Sequence, residues 1–272
     1  MTSLTPHVAS LNLSGDFDAR RQAHFKALEA MNARFYQRFA TSFHQTRGYG
    51  WPGWRALLKH LPPRALSVYD IACGNGRLTE LLTHVWCAEQ EGGVEGYLGV
   101  DRDQGLLAHA RERTRPFPCH WSQFNWSSDA TPPEMMICGG ADWVTLFGVM
   151  HHVYSFSARV ALVCWAAQFL RPDGALSVSL WDFGAQPRYH TKRLAWSEHA
   201  HDGVALELVE EGDALLGWRG ETDTPRYCHW MSPDEESRWL EQIATRAPQL
   251  SPPRLDLHPR DGNRYWTWRR RS

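Results

Sequence analysis

Apolar residues recur along this chain with two different periods, and the points where the period changes mark out its elements. Over 17–45, Phe25, Leu28, Met31, Phe35, Phe39 and Phe43 fall at near-helical spacing among good helix formers, which predicts an appended helix with one apolar face packed on the main domain. Gly48-Tyr49-Gly50 breaks it, and Trp51-Pro52 begins a short second helix that Pro62-Pro63 stops. Short β-prone runs then alternate with helical patterns. Strands are expected at 66–71, at 96–101, near 118–122, near 142–147 and at 175–181, with helices at about 76–88, 103–113 and 156–170. This alternation predicts an α/β fold, a mostly parallel sheet with helices on both faces.

The pattern changes after residue 183. Residues 184–230 hold no βα unit; Leu215-Leu216-Gly217-Trp218 and Tyr227-Cys228-His229-Trp230 read as two short strands joined by a turn at Glu221–Pro225. Ser232-Pro233-Asp234-Glu235 starts a helix, with serine as N-cap, proline at the first position and an acid able to close a capping box. Leu255-Asp256-Leu257 and Tyr265-Trp266-Thr267-Trp268 read as the last strands. The expected organisation is a helical extension over 1–63 and an α/β domain over 64–272, with 184–230 as a lid-like insert over the strand ends.

The chemistry concentrates in Ser67-Val68-Tyr69-Asp70-Ile71-Ala72-Cys73-Gly74-Asn75-Gly76-Arg77-Leu78. A strand ends in an acid, passes through a glycine turn and becomes a helix; the next strand, Gly96-Tyr97-Leu98-Gly99-Val100, ends in Asp101. Such a unit binds an adenosine-containing cofactor at the carboxyl ends of parallel strands. Glycines let a ligand approach the backbone, and Asp101 can accept from both ribose hydroxyls. The G-x-G-x-x-G of a dinucleotide site is incomplete, and Asp70 would repel a pyrophosphate but hold an ammonium group, so a nicotinamide oxidoreductase is disfavoured. A cofactor with a cationic amino-acid end and a ribose suits both acids, and S-adenosylmethionine (SAM) has both.

With these residues in view the chain resembles the class I SAM-dependent methyltransferases from about Leu66 to Phe183. Asp70–Gly76 matches their first motif, with Ala72 in place of the usual first glycine; Asp101 matches the ribose-binding acid. Gln123-Phe124-Asn125-Trp126 stands where the family has an adenine-binding polar residue and an apolar neighbour, with Asn125 replacing the usual Asp. Ala141–His152 resembles the fourth strand and its turn, and Phe169–Leu176 the approach to the fifth. The resemblance implies a doubly wound, seven-stranded Rossmann-like sheet with an antiparallel edge hairpin. It also implies cofactor contacts from Asp70, Ala72, Cys73, Gly74, Asn75, Gly76, Asp101, Arg102, Asn125, Trp126, Phe147 and His152.

Phe35–Arg47 with Trp51-Pro52, Met150-His151-His152 and Pro225–His229 are similar to motifs of the tRNA wobble-uridine carboxyl methyltransferases, which esterify a 5-carboxymethyl group on uridine in the anticodon. That resemblance implies tRNA as acceptor and, as in relatives of that branch, a small zinc-binding activator subunit as a possible partner. A carboxylate is already an anion at neutral pH, so it needs alignment and desolvation rather than a strong base. Arginine suits its grip, which makes Arg47 and Arg226 candidates, with His151, Tyr227 and His229 tuning the nucleophile.

Other readings stay open. Arg47 could instead cap its helix or bind the methionine carboxylate. Along a strand Tyr227 and His229 face one side and Arg226 and Cys228 the other, so Arg226 and His229 should not both enter the site without a bulge. Adjacent His151 and His152 could bind metal, yet adjacent side chains seldom chelate together and no third ligand is evident, so no metal site is expected. A small-molecule carboxyl or hydroxyl methyltransferase, or a catalytically silent SAM-binding partner subunit, would carry the same cofactor motifs.

Composition narrows this little further. The 272 residues can bury a core without staples, and the six cysteines show no C-x-x-C pair, as in a reduced, cytoplasmic protein. No leader pattern and no membrane-length apolar run is visible. The formal net charge of -1 does not advertise nucleic-acid binding; Arg264, Arg269, Arg270 and Arg271, interleaved with aromatics, could contact phosphates and stack on bases, but read first as a final strand with a solvated basic tail.

Overall fold

A computed structural model describes residues 19–45, 50–89, 92–113, 115–126, 132–133, 136, 140–199 and 203–272; the side chains of 40, 41 and 43–45 lie outside that description. Among the described residues ten strands form two sheets. The larger runs β3-β2-β1-β4-β5-β10-β9. Its members are β1 (Leu66–Ile71), β2 (Val94–Asp101), β3 (Cys119–Gln123), β4 (Ala141–Leu146), β5 (Leu170–Trp181), β9 (Arg254–Leu257) and β10 (Asn263–Arg269). The first five are parallel, and β10 runs antiparallel to both β5 and β9. This is the expected mostly parallel, seven-stranded sheet with its antiparallel edge.

Each face of that sheet buries its own apolar cluster. On one side lie Val144, Leu146 and Val178 with Trp165 of α6 (Phe156–Ala166) and Trp239 of α9 (Pro233–Arg246). On the other lie Val68, Trp143 and Ala175 with Trp54 and Leu57 of α2 (Trp54–Leu57) and Leu78 of α3 (Leu78–Leu81). Beyond α3 the chain makes a π turn, Leu82–Trp86, then α4 (Cys87–Glu89). The helix α5 (Gln104–Glu112) starts where the Asp103 carboxylate accepts from the Leu106 amide at 2.9 Å, an N-cap.

Several expected boundaries shift for physical reasons. The turn before β5 is taken inside the strand, through Asp173 at φ 63 and a register shift against β4. The hairpin turn of the insert lies at Arg219-Gly220, both at positive φ (54 and 86), not at Glu221–Pro225. Residue Pro225 instead lies within β8 (Glu221–His229), the edge strand of its sheet, where a missing N–H costs no ladder bond on the open side. The Ser232 hydroxyl caps α9 by accepting from the Glu235 amide at 3.2 Å, but the Glu235 carboxylate does not close the box; it goes to Arg159 and His229.

The small sheet, β6-β7-β8, contains β6 (Arg193–Leu194) and β7 (Asp213–Trp218) beside β8 and is antiparallel throughout. Onto it packs α1 (Ala19–Gln45), whose buried Leu28 and Met31 meet Leu215 and Tyr227. Extension and insert therefore build one cap. A buried ionic network fastens the cap to the large domain. Arg159 of α6 binds Glu235 at 2.7 Å and Glu210 at 2.5 Å, and His229 bridges Glu235 (2.8 Å) and Asp213 (2.8 Å). Burial opposes the charge on His229, but its bonds to Asp213 and Glu235 win and raise its pKa. Replacing Arg159 with Met should cost about 3 kcal/mol in a urea melt, because it takes the cation from Glu210 and leaves Glu235 with His229 alone. A loss under 1 kcal/mol would show that the network does not hold the cap.

Candidate active site

The loop after β1 is shaped by three residues in the left-handed region, Ala72 (φ 63), Gly74 (φ 56) and Gly76 (φ 71). Alanine at the first of these keeps the conformation expected of glycine, at a cost of about 1–2 kcal/mol in backbone strain. A Cβ on Gly74 would meet only Leu106, at 4.0 Å, so that backbone is open to a ligand. Gly76 is different: its Cβ would lie 2.5 Å from the Trp121 ring. There, glycine serves packing rather than ligand approach.

Above this loop, where the strand order reverses between β1 and β4, lies an open cleft, the usual place for a ligand in a doubly wound sheet. Of the expected cofactor residues, Asp70, Ala72, Cys73, Gly74, Asn75, Asp101, Arg102, Trp126, Phe147 and His152 line it. Gly76 and Asn125 do not; the Asn125 amide donates to Glu29 of α1 at 2.8 Å, and Asn125 lines an adjoining hollow with Tyr36 and Arg102. Tyr36, Trp54, Arg77 and Asp103 also line the cleft and were not among the residues chosen from sequence. The signal for Arg77 was its place directly after the second glycine. Tyr36 lies in the Phe35–Arg47 stretch but carried no signal of its own.

Both acids are buried and held by hydrogen bonds. Asp70 accepts from Tyr97 at 2.5 Å and Thr145 at 2.6 Å. Burial raises its pKa to about 6, the two hydroxyls and Arg77 pulling the other way. Asp101 accepts from the amides of Gly74 at 2.8 Å and Asp103 at 2.9 Å, and burial raises its pKa also. A carboxylate has about four acceptor sites, so each acid retains lone pairs for a ligand.

The cap contributes a polar cluster at the cleft. His152 Nε2 lies 2.8 Å from the Tyr36 hydroxyl, and its Nδ1 lies 3.0 Å from the Tyr227 carbonyl and 3.2 Å from the Asn32 amide nitrogen. The shorter Nδ1 contact is to a carbonyl, which assigns the proton to Nδ1 and lets Nε2 accept from Tyr36. Burial, with His151, Arg226 and Arg102 nearby, holds the His152 pKa well below the usual value, so the ring is neutral. Arg226 is buried between the rings of Phe35 (5.1 Å) and Trp181 (5.3 Å) and hydrogen-bonds Tyr36. It reaches the cleft through Tyr36.

The alternation expected along β8 is present. Tyr227 and His229 turn to Asp213, at 2.7 and 2.8 Å, in the fastening network and not in the cleft. His151 packs against Trp181 at 5.2 Å, also outside the cleft lining. Arg47 lies outside the described residues. The structure does supply the third metal-ligating group that sequence did not reveal: Cys228 has its sulfur within 4.8 Å of His151 and His152 ligand atoms, and Glu210, His229 and Glu235 form a second such group. Arg226 beside the first and Arg159 within the second already supply positive charge, which opposes a cation at either place. Of the basic carboxyl-terminal run, Arg264 and Arg269 lie in β10, with Arg264 bound to Asp182 at 2.9 Å and Trp268 packed on Trp239, while Arg270 and Arg271 follow the strand. Among the described residues no helix is long and apolar enough to cross a membrane.

Comparison with known proteins agrees with the fold. No protein-family model matches the chain. It is 29% identical over 146 residues to the tRNA (carboxymethyluridine(34)-5-O)-methyltransferase ALKBH8 of Macaca fascicularis, covering 54% of this chain and 19% of that protein. It is 25% identical over 182 residues to the trans-aconitate 2-methyltransferase of Acidovorax ebreus, covering 66% of this chain and 61% of that one. The chain thus spans less than two thirds of the length of either relative. A crystal structure of a SAM-dependent methyltransferase from Methanosarcina mazei superposes with a TM-score of 0.55 at 15% identity, over 82% of this chain and 99% of that one. The fold is that of the SAM-dependent methyltransferases.

Two outcomes are expected of this site. Gly76→Ala should destabilise the protein by roughly 2–4 kcal/mol in a denaturant melt, from left-handed strain plus the clash with Trp121. A cationic amino-acid ligand at Asp70 should bind more weakly as pH falls through about 6, because the protonated acid cannot pair with it. For the unliganded fold the sign reverses: with Asp70 raised from 3.8 to about 6, its contribution to stability is full below pH 3.8 and is lost as pH rises through 6. Ligand titrations and melts at pH 5 to 8 read the two effects separately.

Proposed function

We propose that this chain is a SAM-dependent methyltransferase that esterifies a carboxylate. The observation carrying the cofactor half is the pair of buried acids ending β1 and β2 around an open glycine loop. In this reading Asp101 would accept from the ribose hydroxyls and Asp70 would pair with the ammonium group, with the Ala72–Asn75 backbone and Trp126 as further cofactor contacts. SAM supplies an electrophilic methyl on a sulfonium. The acceptor half rests on the cluster of Tyr36, His152 and Arg226 beside the cleft. The relatives' names support it: carboxymethyluridine and trans-aconitate are both carboxylic acids.

The chemistry is a direct displacement. With SAM bound, the site would offer that methyl to an acceptor carboxylate oxygen, a carbon–oxygen bond replacing the carbon–sulfur bond and the sulfonium leaving as a neutral thioether, without any proton transfer. The neutral His152 agrees with this, since no strong base is required. What the residues supply is position and dryness: the Tyr36 hydroxyl is fixed between His152 and Arg226, and the cap of α1 and β6–β8 restricts water. Tyr227 and His229 act here only by fastening that cap.

The acceptor we favour is the 5-carboxymethyl group of a wobble uridine in tRNA, on the matched stretch shared with the primate enzyme. A small polycarboxylate is the second reading, favoured by the depth of Arg226, which is 4% exposed. Labelled methyl transfer from SAM into RNA and small-molecule fractions of a cell extract separates them. Ester label in RNA, released by mild alkali as methanol, supports tRNA; label confined to small acids supports the second reading. Alkali-stable label in either fraction would sink the carboxylate mechanism. Asp101→Ala should weaken SAM binding at least tenfold, whereas Arg226→Ala should lower turnover and leave SAM affinity within about threefold. Calorimetric titration beside steady-state kinetics checks both.

A further inference from the structure

The cap carries charge that the scheme above does not use. After β5 the chain runs through α7 (Pro187–His190) into β6 and then α8 (Trp196–His199). Over 186–199 it sets Arg188, Lys192 and Arg193 against one acid, Glu198, in a chain whose formal net charge is -1. All three cations are exposed. Arg188 donates to the Gln186 side-chain oxygen at 3.1 and 2.8 Å. None of the three meets an acid among the described residues, whereas Arg38, Arg55 and Arg64 each do. The half-buried Tyr189 ring meets two of them, 4.9 Å from the Arg188 guanidinium and 5.1 Å from the Lys192 ammonium.

Asn263 pairs with Trp181, the last residue of β5, so the 182–193 segment and the 258–262 loop leave the sheet at the carboxyl ends of the parallel strands, the end that holds the cleft. The two segments touch: a Cβ on Gly262 would lie 2.5 Å from the Gln186 side chain, and exposed Arg260 stands two residues from that contact. Inward, Tyr189 packs on Trp181 at 4.9 Å and Trp181 on the Arg226 guanidinium at 5.3 Å, which joins the surface to the Tyr36–His152–Arg226 cluster.

We propose that this face of the cap, Arg188 to Arg193 with Tyr189, docks the sugar–phosphate backbone of a single-stranded RNA loop whose carboxymethylated uridine enters the cleft. This rests on the tRNA reading and gives the insert the recognition step that reading left open. Cations without an internal anion can exchange counterions for phosphates without breaking an ion pair. A partly exposed ring among them offers a face on which any base can stack. A bilayer surface fits less well, because docking there needs apolar side chains beside the cations, and the exposed large apolar residues Leu206, Leu255 and Leu257 all lie outside 186–199.

The test is fluorescence anisotropy over a salt series, with an RNA hairpin whose single-stranded loop carries one 5-carboxymethyluridine as the probe. Each contact to a single-strand phosphate adds about 0.7 to the slope of log affinity against log salt. Lys192→Gln combined with Arg193→Gln should therefore flatten the slope by about 1.4 and weaken binding roughly 10- to 30-fold at about 0.1 M salt. Affinity for S-adenosylhomocysteine should stay within about twofold, which also reports a folded variant. Arg188→Gln, outside any strand, should flatten the slope by about 0.7 and serves if the double variant does not fold. Arg254 is the comparator: it is exposed and opens β9, which runs parallel to β5, so it sits at the end of the sheet away from the cleft. Arg254→Gln should leave the slope as it is in the wild type. An unchanged slope in the cap variants, or an equal loss in Arg254→Gln, overturns the dock and leaves tRNA as acceptor. A wild type that does not bind the hairpin overturns the tRNA reading together with the dock.

Discussion

Two carboxylates buried side by side at the ends of adjacent parallel strands set the terms for everything around them. Burial raises the cost of ionising both Asp70 and Asp101, and the charge of Asp101 adds to that cost at Asp70. The fold answers with donors aimed from four directions: Tyr97 from β2, Thr145 from β4, and the amides of Gly74 and Asp103 from the two loops. Those donors explain local features that otherwise look unrelated. The loop must turn left-handed to deliver the Gly74 amide, and Gly76 and Gly99 must lack side chains because the Trp121 ring fills the space beside them. A ligand with a cation and a sugar would complete what these donors leave unfinished.

The cap obeys a different constraint, that of a strand with two unlike faces. Along β8, Arg226 and Cys228 look toward Trp181 and Phe183, whereas Tyr227 and His229 look toward Asp213. One face thus borders the chemistry while the other carries the ionic fastening to α6 and α9. Four consecutive chemistry-bearing residues divide by parity into two jobs.

Local features were readable where one sequence position had one physical use. The ends of β1, the acids that finish β1 and β2, the break after residue 183 and the Ser232 cap follow from patterns within a few residues. What sequence could not show depended on partners far along the chain. Glu235 suits a capping box, but Arg159 and His229 claim it. Pro225 suits a turn, but the edge position of β8 tolerates it. Gly76 suits ligand approach, but Trp121 occupies its space. Tyr36 reads as one more position on a helix until β8 brings Arg226 against it. Candidate cofactor residues were legible because their geometry is local. The cluster of Tyr36, His152 and Arg226, assembled from α1, the turn after β4 and β8, was legible only in part.

The union of α1 with β8 has a consequence for how the chain is made. Asn32 accepts from the Tyr227 amide at 2.9 Å across a sequence separation of 195 residues. At synthesis rates of about 5–20 residues per second, α1 would wait roughly 10–40 seconds for its partner strand to leave the ribosome. During that interval a helix of 27 residues carries Leu28, Met31 and Phe35 with no β8 to cover them. The large sheet can begin to pair meanwhile, since β1, β2 and β4 lie earlier in the chain. The five parallel strands of the large sheet would thus emerge before β8, with β9 and β10 following it, and α1 would keep an uncovered apolar face throughout that interval.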